Sequence, residues 1–178
     1  RELIADRENL ERQFGTIVRG MAYPFGAFDD RVVEGVRRAG LVYARTTIAS
    51  HGFKIPADWL RLEATCHHND PALRELTQRF VEEKPERDSW LFYLWGHSYE
   101  FEADDNWQVI EAFAQETGNR SDIWYATNIQ IYDYVQAFKR LEFTVDGSRV
   151  YNPSVLTVWF VKDGRMIEAK PGVMTACA

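Results

Sequence analysis

Four times along the chain, a short apolar stretch is followed by a segment with the three-to-four-residue apolar spacing of a helix. The strand-like stretches are 17–23, 41–46, 90–96 and 122–126. The helical segments are 28–39, 71–82, 106–117 and 128–141, and one more helix is read at 2–14. Repeated strand–helix alternation implies parallel strands, because each helix carries the chain back, with the helices packed outside the sheet. A closed barrel needs eight such units and about 250 residues. Four units in a chain of 178 residues therefore make either an open sheet or half of a barrel.

Punctuation supports these boundaries. Gly15, Gly40 and Gly118 follow helical segments, and Asp29 or Asp30, Asp70 before Pro71, and Thr127 or Asn128 stand where helices begin. Residues 90–96 are apolar without alternation, which is how a strand buried on both faces reads. Residues 47–69 read as a long irregular stretch, and loops of that size tend to be functional. After residue 141 the pattern changes. Strand-like runs are split by Asp146-Gly147, Asn152-Pro153 and Asp163-Gly164, the signature of antiparallel hairpins. The expected organisation is an α/β body over 1–141 and a small antiparallel β appendage over 142–178.

Charge and hydropathy exclude several partners. With 21 Lys and Arg against 27 Asp and Glu the net charge is -6, and no basic stripe is present. Nucleic acid and anionic membrane surfaces are poor fits. No apolar run approaches the roughly 18 residues that span a bilayer. Aromatic residues make up 14% of the chain, enough for a large core and for a sugar-binding cleft as well. Cys66 and Cys177 are not in metal-binding spacing and read as reduced thiols. The first residue is Arg1, so a segment before it is expected.

Parallel α/β folds bind ligands at the carboxyl ends of their strands. The strands read here end in Tyr23-Pro24-Phe25-Gly26, in Arg45, in His97-Ser98-Tyr99-Glu100 and in Thr127-Asn128. Thr127 and Asn128 are explained as helix caps. His97 directly follows the most apolar strand, and an imidazole carries protons near neutral pH, so it is the candidate general acid or base. Glu100 is the carboxylate that stands out on this rim. Cys66, His67, His68, Asn69 and Asp70 form a second polar knot. Adjacent histidines usually point in different directions, so a structural or substrate-lining role outweighs a metal site there.

Several runs carry a resemblance. GMAYPFGAFDDRVVEGVRRAGLVYART has a strand ending in a Pro-aromatic-Gly turn, then a helix, then a strand ending in Ala-Arg. LFYLWGHSYEF is a hydrophobic strand ending in His, and TCHHNDPAL, DDNWQVIEAF and DIWYATNIQIYDY fall in matching order. Over about residues 1–140 the chain resembles the later part of the polysaccharide deacetylases, carbohydrate esterase family four. The resemblance implies part of a distorted (β/α) barrel with parallel strands. It implies removal of an acetyl group from an amino sugar or polysaccharide, with a divalent metal, zinc, held by an Asp and two His. His97 matches the family's general acid. Pro24, Phe25 and Gly26 match its oxyanion turn, the Phe25 N–H being the donor, and Trp95 and Tyr99 match the walls of the acetyl pocket. Tyr23, Arg45 and Glu100 join them as substrate-binding residues.

The family's Asp-Asp and His-x-x-x-His motifs do not occur at the expected places, so no metal ligand is assigned within this chain. The metal ligands and base are expected from a segment preceding residue 1. That segment, or another chain, is also the partner expected to cover the open sheet edge, beside the carbohydrate substrate. Two other readings stay open: a non-catalytic carbohydrate-binding module, and a metal hydrolase using His67, His68 and His97.

Overall fold

A computed structural model describes residues 1–85 and 88–177. The chain divides into two compact units, Arg1–Tyr125 and Ala126–Ala178.

In the first unit, helix ends follow local chemistry. α1 (Glu2–Phe14) stops at Gly15, whose φ of 64° suits a residue without a Cβ. α2 (Asp30–Arg38) starts at Asp29, whose carboxylate accepts the Val32 N–H at 2.8 Å. Val33 and Val36 turn inward from it. α3 (Leu73–Glu82) follows Asp70, whose Oδ1 accepts the Ala72 N–H at 2.9 Å. Two more helices follow, α4 (Ser98–Ala103) and α5 (Gln108–Thr117).

β1 (Gly20–Ala22), β2 (Tyr43–Ala49) and β3 (Leu62–Ala64) form a parallel sheet in the order β1-β2-β3. β4 (Cys66–His67) pairs in parallel with β5 (Leu94–Trp95), Cys66 opposite Leu94 and His67 opposite Trp95. Thr65 joins the two ladders: its N–H donates to Tyr93 O at 2.8 Å and its carbonyl accepts the His51 N–H at 3.0 Å. Its Oγ1 accepts the Tyr93 N–H at 3.0 Å.

The expected part of a (β/α) barrel is not formed. Barrel closure needs continuous, staggered pairing between neighbouring strands. Here the β2–β3 register slips between Arg45 and Ala49, and β4–β5 is a separate two-residue ladder. Residues 122–126, read from the sequence as a strand, pair with no strand. The Asp122 carboxylate instead takes the Lys84 and Arg120 side chains. The run 90–96 contracts to Leu94–Trp95, because upstream of it the Leu91 N–H donates to Phe53 O and the Tyr93 N–H to the Thr65 side chain rather than to a regular ladder. Trp90 and Phe92 close on Phe53 at centroid distances of 4.9 and 5.7 Å, and Phe92 meets Phe113 at 5.3 Å. Conversely, the supposedly irregular stretch 47–69 holds the end of β2 together with β3 and β4.

The second unit opens with α6 (Asn128–Lys139). The Thr127 Oγ1 accepts the Gln130 N–H, and the Gln130 side chain accepts the Thr127 N–H at 2.8 Å, a reciprocal cap. Its strands are antiparallel. β6 (Glu142–Phe143), β7 (Arg149–Tyr151) and β10 (Met174–Ala176) line up as β10-β7-β6, while β8 (Val158–Lys162) and β9 (Arg165–Ala169) form a hairpin. Asp163 and Gly164 turn that hairpin with φ of 50° and 78°. Val150, Ile167, Ala169 and Cys177 make its core. Among the described residues no helix is long and apolar enough to cross a membrane.

Tyr23 lies in the first unit's core with Val33, Val36, Leu41, Ala44 and Leu60. Its hydroxyl donates to Leu60 O at 2.8 Å, and its ring stacks on Phe28 at 4.9 Å. Tyr23→Phe strands a buried carbonyl. It should cost about 1–3 kcal/mol, read as a lower urea midpoint at unchanged m-value.

Candidate functional site

The β4–β5 pairing brings the histidines together. His67 ends β4 opposite Trp95, and His68 N–H donates to Trp95 O at 2.9 Å. One residue past Gly96, His97 opens α4. Glu100, three residues into α4, folds back so that its Oε2 accepts the His97 N–H at 2.9 Å. The same oxygen lies 3.2 Å from His97 Nδ1, 3.2 Å from His67 Nε2 and 3.7 Å from His68 Nε2. Three of the chain's four histidines thus meet at one carboxylate oxygen.

Electrostatics follow from this crowding. Burial pulls the Glu100 carboxyl upward, but the His97 amide, the His97 ring and the nearby charge of His67 more than offset it, so its pKa lies below the ordinary value. Glu100 is therefore an anion at neutral pH. Burial, reinforced by the charge of His67, lowers the pKa of His68, which is only 2% exposed and stays neutral. Neither ring nitrogen of His68 has a hydrogen-bond partner among the described residues. The Asn69 N–H donates to His67 Nδ1 at 3.2 Å, which leaves the proton of a neutral His67 on Nε2, aimed at Glu100.

A cleft of about 270 Å³ lies beside these groups. His68, Trp95, Gly96, His97, Phe101 and Ile110 are among its walls. The Trp95 Nε1–H is buried without a partner among the described residues, a donor available to a ligand oxygen. The Arg45 guanidinium stands 4.2 Å over the Trp95 ring, and Tyr99 stacks on His97 at 5.2 Å with its own surface mostly exposed. Among the sequence-derived site residues, Arg45, Trp95, His97, Tyr99 and Glu100 are thus neighbours.

The remaining candidates lie elsewhere. Tyr23 is the core residue described above. Pro24, Phe25 and Gly26 form a one-turn 3₁₀ segment with φ of 56° at Phe25 and 69° at Gly26. The Phe25 side chain is fully exposed, and a Cβ on Gly26 would strike Thr47 Oγ1 at 2.3 Å. The turn follows Ala22, which pairs with Arg45.

The second polar knot dissolves. Cys66 is buried, and burial with the nearby Asp70 charge pushes its thiol up to about 12, so it is protonated at neutral pH and a poor nucleophile. Asp70 is taken by His51 Nε2 at 2.7 Å and by the Ala72 N–H at 2.9 Å. From that knot the structure moves His67 and His68 into the His97 site. Their sequence signal, two adjacent histidines, is visible; the pairing of β4 with β5 is not.

His67, His97 and Glu100 can hold a metal ion: one ligand atom from each lies within 4.8 Å of the others. Two imidazoles and a carboxylate form a donor set that suits zinc.

Gly96 makes this packing feasible. A Cβ there would lie 1.8 Å from His68 Nδ1. Gly96→Ala should displace the His68 ring and cost about 1–3 kcal/mol, with a changed His68 signal in NMR spectra. His68 also sets a pH dependence. Its folded-state pKa is depressed, so below the unfolded value of about 6.5 the unfolded chain binds a proton that the folded chain refuses. Stability should be fully present above that value and should fall as pH drops below it. The slope of the urea midpoint against pH should be shallower in His68→Asn. No protein-family model, curated protein or solved structure matches the chain, so the geometry carries the functional reading.

Proposed function

We propose that this chain provides the proton-donor side of a metal-dependent deacetylase, which hydrolyses the amide bond between an acetyl group and an amino sugar of a polysaccharide. The observation that supports this most is His97, fixed through Glu100 at the end of β5 and lining the cleft that Trp95 also lines. Water adds to the acetyl carbon, the carbon–nitrogen bond breaks, and acetate and a free amine leave. Amine departure needs a proton, which His97 delivers. The Trp95 Nε1–H donates to a substrate oxygen, Tyr99 offers an aromatic face to a sugar ring, and Arg45 closes the wall over Trp95.

A divalent ion, zinc, would supply Lewis-acid polarisation of the acetyl carbonyl when bound. In this reading its ligands and the base come from a segment preceding residue 1. The β1 strand stands at the edge of its sheet, the place where a preceding segment can pair.

The test is acetate release from an acetylated amino-sugar polymer by a protein carrying this chain with its preceding segment. His97→Ala should lower kcat about 10²–10⁴-fold with substrate binding retained. A kcat near the unsubstituted value would remove His97 from the chemistry. Saturable polysaccharide binding with no acetate release from the unsubstituted protein would make the chain a binding module instead.

A further inference from the structure

Donors around a tetrahedral zinc sit about 2.0–2.2 Å from the ion, hence about 3.4 Å from one another. The 3.2 Å separations of Glu100 Oε2 from His67 Nε2 and His97 Nδ1 are close to that spacing. A hydrogen-bonded cluster alone would show similar distances. What distinguishes this one is His68, buried to 2% exposure with both ring nitrogens unpartnered among the described residues and Nε2 3.7 Å from the same Glu100 oxygen. A neutral imidazole carries one N–H, and burying it without an acceptor is costly.

We infer that His67, His97 and Glu100 bind a divalent transition-metal ion of the zinc type within this chain, with His68 as the buried donor that steadies the ligating carboxylate. The ion draws the three ligands together and fixes Glu100. The carboxylate then accepts the His68 N–H, as outer donors do around metal-bound carboxylates. Three protein ligands would leave a fourth position open, the arrangement of zinc sites that act on substrates rather than only holding a fold. Some rearrangement is required. With the Asn69 N–H on His67 Nδ1, the ring proton sits on Nε2. Ligation through Nε2 moves that proton to Nδ1 and breaks the 3.2 Å Asn69 contact, which is at the long end of the hydrogen-bond range. His97 is half-exposed and its Nδ1 already faces Glu100 Oε2 at 3.2 Å, the side from which it would ligate. Ligation through His97 Nδ1 leaves its Nε2–H as a donor toward substrate.

This site goes beyond the deacetylase reading and does not rest on it, because that reading draws its ion's ligands from another segment. The test contains no sugar: calorimetric titration of the 178-residue chain with zinc alone, and the visible spectrum of the chain loaded with cobalt(II). The expected result is one ion per chain, a tetrahedral cobalt spectrum, and a shifted Asn69 amide signal on zinc binding. Glu100→Gln, which keeps the side-chain shape, and His67→Ala should abolish saturable binding. His68→Asn should weaken it about 10–100-fold, and His51→Ala should leave it unchanged. Absence of saturable binding to the unsubstituted chain would overturn the inference. So would zinc affinity that survives Glu100→Gln, or an Asn69 amide that does not move. Acetate release plays no part in these outcomes, so the site and the deacetylase reading fail separately.

Discussion

A half-buried carboxylate must be surrounded by donors, and Glu100 gathers its donors from two distant parts of the chain. One is local: the His97 N–H, free because it opens α4, reaches Glu100 Oε2 at 2.9 Å. The other is His67, brought from β4 by pairing with β5. The local contact alone is an ordinary helix cap, and the distant one turns it into a site. Because the pairing is only two residues long, the register of Cys66 opposite Leu94 and His67 opposite Trp95 decides whether the site exists at all. A slip of one residue would send Cys66 to the rim and His67 into the core, since neighbouring strand residues face opposite ways.

Apolar packing holds that register. Cys66 is fully buried in a cluster with Phe53, Leu73 and Leu76, bordered by Trp90, Phe92, Leu94, Val109 and Phe113. Aromatic faces bury large areas and tolerate varied angles, so they fix where β5 runs without a long ladder. Gly96 then supplies the space at the next step, where any side chain would collide with His68. His68 is thus held by the same backbone that positions His97, and the two histidines respond together to any movement of β5.

Features encoded over a few residues were legible in the sequence. Asp29, Thr127 and Gly15 mark helix ends because their side chains, or the lack of one, meet local backbone demands. That His97 follows a strand was legible too, because a long apolar run must stop somewhere and a polar group follows it. What depends on distant pairing was not. β3 and β4 are three and two residues long and sit in a stretch that reads as loop. Strand–helix alternation counts elements but says nothing about whether their edges meet, and the β2–β3 slip and the lack of a strand at residues 122–126 go against the expected barrel. Tyr23 was misleading for a related reason. It ends a strand beside the Pro24 turn, yet its hydroxyl is used within the core.

The two adjacent histidines show how burial revises a rule drawn from sequence. On a continuing strand, His67 and His68 would diverge and could not address one group. β4 ends at His67, so His68 enters a turn and its ring comes to 4.3 Å from that of His67. Phe101 covers it from the other side at 4.2 Å. Two imidazoles so close cannot comfortably both be charged, and desolvation lowers the pKa of the buried His68. The cluster therefore carries its negative charge on Glu100 and a neutral ring at His68. For His97 the consequence is a division of labour between its nitrogens. Nδ1 is committed toward Glu100, and any chemistry with a substrate passes through Nε2.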